Sequence, residues 1–243
     1  MYNYFWFLGA IMLCMLLSGY ASSKVHSTYA KYGRVRNRSG LTGYDTAVRL
    51  MRNNGVTDIS VGRVNGQLSD HYHPAKKIVN LSDSTYDSAS VASVAVAAHE
   101  IGHVMQNKRG YLFYKIRTAI VPVVNFGSGL AMPLVMVGLI MEMSASYAGS
   151  DIGFYVAMLG VALYGLSFLF TLVTLPVELN ASRRAKNMLL SEGILAEDEV
   201  KGATAVLSAA ALTYLASMLT SLVYFLRFLF RVLLMFGRSN KRR

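Results

Sequence analysis

The chain has 243 residues, of which 53% are hydrophobic and 15% charged, with a formal net charge of +11. A water-soluble domain carries closer to about a quarter charged residues, so composition alone excludes an ordinary soluble enzyme. The single cysteine, Cys14, excludes an internal disulfide or a cysteine-built metal site. The basic excess gathers beside apolar runs, where it sets membrane topology, so no nucleic-acid partner is expected.

Four runs carry no charge: Tyr2 to Ser23, Thr118 to Met141, Ile152 to Val177 and Ala203 to Leu226. Each is long enough to cross a bilayer as a helix, which takes about 20 residues. The expected organisation is a first span at residues 1–23, a water-facing domain at 24–117, a second span at 118–141 and a third at 152–177. A helix and linker at 178–202, a fourth span at 203–226 and an amphipathic basic tail at 227–243 complete it. No Lys or Arg precedes the first run, which favours a retained anchor over a cleaved signal.

Within 24–117, Thr42 is positioned to cap a helix through Asn53, with Ala47, Leu50 and Met51 on one face and Gly55 as the stop. Val56 to Val64 alternates as a strand, and Asn65-Gly66 signals a tight hairpin. Gln67 to Tyr72 is then the expected return strand, stopped by Pro74, and Lys77 to Leu81 a third. Ser82, Asp83, Ser84 and Ser88 offer caps for a helix from about Ser88 to Asn107. That helix is rich in Ala and Val, which implies burial on most sides, and Gly110 marks its end. Further on, the short loop Glu142 to Asp151 carries no positive charge. Pro176 is expected to end the third span and to open a new helix with Glu178 in its first turn.

The buried helix contains His99-Glu100-Ile101-Gly102-His103, an H-E-x-x-H motif. Histidines four apart on a helix lie about 40° apart around its axis, so both imidazoles can bind one metal ion. Glu100 then sits beside the ion, placed to take a proton from water. The bland reading is a polar patch on a surface helix, which the apolar flanks disfavour. Catalytic zinc sites generally use three protein ligands and an open position. Two spans separate the motif from Glu178, so both return to one membrane face, whereas Glu142 lies across the bilayer. Glu178 is therefore the expected third ligand. Of the 24 Lys and Arg, eighteen lie on the motif side and none in the loop between the second and third spans. This bias puts the metal-binding face in the cytoplasm of a cell bounded by a plasma or inner membrane. The tail residues Arg238, Lys241, Arg242 and Arg243 run against it.

Three blocks carry a resemblance: Leu68-Ser69-Asp70-His71-Tyr72-His73-Pro74, Ala97-Ala98-His99-Glu100-Ile101-Gly102-His103, and Pro176-Val177-Glu178-Leu179-Asn180-Ala181-Ser182-Arg183-Arg184-Ala185. In these the chain resembles the membrane-bound neutral zinc metallopeptidases of the YugP-like family. The resemblance implies one catalytic zinc ion on His99, His103 and Glu178, with Glu100 as acid and base. The family usually has Asp where this chain has His73. In the wider glutamate-ligand zinc peptidases the third ligand opens an E-x-x-x-D pattern. Here the fifth position is Ser182, so Asn180 or Asp70 is expected to orient a histidine instead.

The expected fold is mainly α: a multi-span helical membrane protein with a small α+β zincin-like water-facing domain. The expected activity is zinc-dependent endopeptidase hydrolysis near the membrane surface. Substrates would be membrane proteins or peptides, in contact with the lipid bilayer, with room for membrane partner proteins or a homo-oligomer. His71 is the expected oxyanion stabiliser and Tyr72 the runner-up. The alternative is a metal-binding membrane scaffold or chaperone with weak or no proteolysis.

Overall fold

The structure, a computed structural model, describes residues 2–145 and 152–239. Most of the loop expected at 142–151, and tail residues Lys241, Arg242 and Arg243, lie outside the described residues. The chain is mainly helical, and four helices are long and apolar enough to cross a membrane. Two compact units are formed: Met1–Ser18, Ile116–Thr174 and Leu215–Arg243 in one, Gly19–Lys115 and Leu175–Tyr214 in the other.

Helix α1 (Tyr2–Gly33) does not stop near Ser23. No Gly or Pro interrupts the sequence between Lys24 and Tyr32, so the helix continues until Gly33. Its far end is anchored by Tyr29, which is buried and donates its hydroxyl to the Ser84 carbonyl at 3.2 Å. Helix α2 (Gly43–Asn53) starts where expected, with a full capping box between Thr42 and Asp45. Its Ala47, Leu50 and Met51 are buried in the core of the second unit.

The three strands form one mixed sheet in the order β1-β3-β2, with β1 Ser60–Val64, β2 His71–His73 and β3 Ile78–Ser82. The Asn65-Gly66 hairpin does not form: β1 pairs in parallel with β3, and β2 pairs antiparallel with β3 on its other side. Two carboxylates explain the difference. Asp83 accepts from the Gly66 amide at 3.1 Å, and Asp70 from the Ser82 amide and hydroxyl, both at 2.8 Å. Segment 65–70 is thereby tied to the end of β3, and the chain re-enters the sheet beyond it. The local turn signal loses to these longer-range bonds.

Residues Asp83–Tyr86 form a short helix of their own, α3. The motif helix α4 (Val91–Lys108) therefore begins later than expected and is capped by Ser90, whose hydroxyl accepts from the Ser93 amide. Leu50, Leu81 and Ile101 are fully buried around it, each worth about 1.5–3 kcal/mol of transfer free energy.

Helix α5 (Leu112–Ala145) runs through Pro122 and Pro133. Helix α6 (Ile152–Ser191) likewise runs through Pro176, so Glu178 lies in a helix interior and not in a first turn. Forty residues of helix measure about 60 Å, twice the hydrocarbon thickness of about 30 Å. The proline costs one bond to the Leu172 carbonyl, but the helix continues past it to Ser191. Helix α7 (Glu197–Ser239) joins the fourth span and the expected amphipathic tail in one element, with Glu197, Asp198 and Glu199 in its first turn. In the first unit α5 and α6 pack backbone to backbone: a Cβ at Gly160 would lie 2.6 Å from the Ala131 carbonyl.

Candidate metal centre

The second unit brings α4 against the later part of α6, and one glycine sets the distance. A Cβ at Gly102 would stand 2.6 Å from the Ala181 carbonyl oxygen. Only the bare backbone of Gly102, between the two motif histidines, allows this approach. It places His99 and His103 opposite Glu178. His99 Nε2 lies 3.1 Å and His103 Nε2 3.4 Å from the same carboxylate oxygen, Glu178 Oε2. One ligand atom from each residue falls within a 4.8 Å cluster. Glu178 is 2% exposed. A carboxylate sequestered so far from water requires positive charge beside it.

The same geometry tests the fit of a metal. Two imidazole nitrogens facing one carboxylate oxygen at these distances place lone pairs toward each other unless a proton or a cation lies between them. Two imidazoles and a carboxylate are the donor set that suits zinc. The residues present therefore fit a zinc ion, with His99, His103 and Glu178 to hold it.

The two carboxyls of the site, Glu100 and Glu178, sit in opposite electrostatic situations. Burial pushes Glu100 up to about 7, with the Glu178 and Asp70 charges adding to the rise and His99 and the Tyr72 backbone working against it. Burial also works to raise Glu178, but hydrogen bonds and charge from His103 and His99 overcome it and hold the carboxyl well below the usual carboxylate range. One acid is kept as an anion and the other is poised to exchange a proton.

Around the ligands, His99 Nδ1 meets the Ser182 hydroxyl at 3.2 Å. His103 Nδ1 meets Gln106 Oε1 at 3.0 Å. Asn180 accepts from Gln106 and Arg184 at 3.1 and 2.8 Å. Ser182 thus occupies the position where an orienting carboxylate was expected to be missing, and its hydroxyl meets the imidazole there. Asn180 acts one step removed, through Gln106. Asp70 is engaged with Ser82, and its bonds belong to the sheet.

Gln106 was missed by sequence reasoning. Its signal was present: it is three residues after His103 on the motif helix, hence on the same side, in a mostly apolar element; the structure shows it fully buried.

His71 and Tyr72 part company. Successive strand residues face opposite ways. Tyr72 packs on the core that contains α4, and its hydroxyl oxygen accepts from Asn107 of α4 at 3.0 Å. The His71 side chain is exposed, with Nδ1 on the Ser69 carbonyl at 2.9 Å and Nε2 on Asn80 at 3.1 Å. His73 Nδ1 accepts from the Lys76 amide in the β2–β3 turn.

Residues 7–233 match the protein family described as "Putative neutral zinc metallopeptidase". The chain is 43% identical over 212 residues to "Putative membrane protease YugP" of Bacillus subtilis (strain 168), covering 87% of this chain and 90% of that relative. No solved structure matches the chain. With a match across nearly its whole length and a histidine, histidine and glutamate cluster of the required chemistry, the chain belongs to the family of neutral zinc metallopeptidases.

Proposed function

We propose that the protein is a zinc-dependent endopeptidase that cleaves peptide segments at the level of the membrane surface. His99, His103 and Glu178 hold the zinc ion, and Glu100 is the general base. The observation that carries this reading is the convergence of two Nε2 atoms from α4 on one oxygen of Glu178 from α6. When bound, zinc supplies a Lewis acid that makes water nucleophilic at neutral pH and polarises a carbonyl.

Glu100 takes the proton from the attacking water and returns it to the leaving amine. Developing negative charge on the carbonyl oxygen needs a hydrogen-bond donor. Tyr72 fits that role better than His71. Its oxygen already accepts from Asn107, so its own proton is available, and its backbone neighbours Glu100. Both ring nitrogens of His71 are engaged elsewhere. Strand β2 is an edge strand of the sheet, and an extended peptide added along it would pass beside Glu100.

Glu178 follows the last apolar residues of the third span by a single position, which supports a site near the bilayer surface. Peptides of membrane proteins are the substrate class this favours. The distribution of Lys and Arg supports a cytoplasmic catalytic face, with residues 24–117 and 178–202 forming the water-facing part.

The test is Glu100→Gln in the purified full chain. Zinc content should stay at the wild-type level while cleavage of a membrane-tethered peptide falls by about 100-fold or more. Cleavage that survives the substitution would reject Glu100 as the base. Partner-protein activity that survives it without any cleavage would favour a metal-binding scaffold. Equal turnover of soluble and membrane-tethered peptides would overturn the surface-level substrate class.

A further inference from the structure

The two ligand histidines differ in how firmly their protons are placed, and the difference is traceable atom by atom from Arg184. A guanidinium only donates. Arg184 Nε lies 2.8 Å from the Asn180 side chain, so the Asn180 atom it meets is the oxygen. Gln106 meets that same oxygen at 3.1 Å, so the Gln106 atom there is its nitrogen. The Val177 carbonyl, 2.7 Å from Gln106 and only an acceptor, requires the same orientation independently. Gln106 Oε1 is left facing His103 Nδ1 at 3.0 Å. An amide oxygen only accepts, so Nδ1 carries a proton and Nε2 is the nitrogen left for the metal cluster. His99 has no such chain: its Nδ1 meets a hydroxyl, which donates or accepts.

We propose that Gln106 is a positioning residue that commits His103 to its metal-binding tautomer, and that Asn180 and Arg184 lock the Gln106 amide in the orientation this requires. The usual partner of a zinc-bound histidine is a carboxylate, a backbone carbonyl or water. Here a neutral side-chain amide is used, and it works only because both of its hydrogens are consumed by acceptors, leaving the oxygen no choice. Gln106 is fully buried, so water cannot substitute for it. His103 is therefore ready to bind before the ion arrives, while His99 settles when it does. This deepens the zinc-peptidase reading, on which its affinity readout rests; its tautomer readout does not.

The experiment compares metal-free full-length chains in detergent. Ring 15N resonances report which nitrogen bears the proton, and His103→Ala identifies the signals by their loss. In the wild type, His103 should carry its proton on Nδ1. In Gln106→Leu that preference should disappear and zinc affinity, measured by chelator competition, should fall about 10–100-fold. His99 signals should not change. Asn180→Asp keeps the acceptor oxygen and should retain both properties, whereas Asn180→Leu should weaken both. That pair decides the matter if Gln106→Leu fails to fold. A wild-type His103 with no proton on Nδ1, or Gln106→Leu with unchanged Nδ1 protonation or unchanged zinc affinity, would overturn the assignment. A wild type that shows the expected tautomer but binds no zinc would support this assignment and overturn the metal reading alone.

Discussion

The two units of the molecule spend their hydrogen bonds differently. In the first, hydroxyls mostly turn back on their own helices: Ser167 to Leu163, Thr171 to Phe168, Thr220 to Ala216 and Ser221 to Met218. The Thr171–Ser221 pair at 2.7 Å joins two helices, and shape also carries contact there, as at Gly160 and in the stacked Phe168–Phe225 rings. In the second unit, side chains distant in sequence are tied together. Arg38 pairs with Asp198, Asn37 donates to Ala89, Arg49 donates to the Glu192 carbonyl, and Gln106 donates to Asn180. A bundle built for lipid needs close van der Waals fit. A cluster that brings two imidazoles and a carboxylate to one point needs direction, which apolar packing does not give.

The substitution with the largest expected effect attacks a place in the second unit that depends on shape. Gly102→Val should destabilise by about 1–3 kcal/mol or more, because the atom it strikes is a backbone carbonyl that cannot swing aside. Loss of stoichiometric zinc with a lowered thermal midpoint is the expected result, and wild-type zinc content would show that the close approach is dispensable.

Gly160→Leu makes the matching change in the first unit. It should also cost about 1–3 kcal/mol, but zinc content should remain at the wild-type level. If zinc were lost there too, the contrast between shape and direction would fail. A smaller effect is expected of Ser182→Ala, which removes one bond to His99 and should weaken zinc binding about tenfold. No measurable change would mean that His99 needs no orienting partner.

Asp58→Asn should do least. The hydrogen bond from Lys108, helped by Lys77, holds the Asp58 carboxyl below its ordinary range against desolvation, which works to raise it. A depressed carboxyl stabilises the fold above the unfolded value, about 3.9, and the benefit disappears as pH falls through the folded value. The difference in thermal midpoint between wild type and variant should therefore be slight near neutrality and vanish in acid. A difference that grows as pH falls would contradict this sign.

Much of this was legible before any coordinates, for reasons that can be named. A charge-free run of about 20 residues has few fates other than a bilayer, so the spans follow from composition. The α2 cap, the buried motif helix and the pairing of His99 with His103 follow from local periodicity, which depends only on residues within two turns. Even Glu178 was reachable, because counting spans fixes which face of the membrane an acid occupies. What local rules misjudged were the places where distant groups outbid neighbours. Asp70 and Asp83 redirected the Asn65-Gly66 turn, and Pro176 lies inside α6 and does not end it.

The sequence by itself determined that this is a membrane protein with one H-E-x-x-H helix, since hydropathy and a helical repeat are properties of adjacent residues. Only the tertiary structure decided that Gly102 brings α4 onto α6 and that Ser182 and Gln106 meet the two imidazoles. It also separated Tyr72 from His71 by the face of the strand. Those outcomes depend on approach distances between segments some 70 to 80 residues apart, and no local rule sets such a distance.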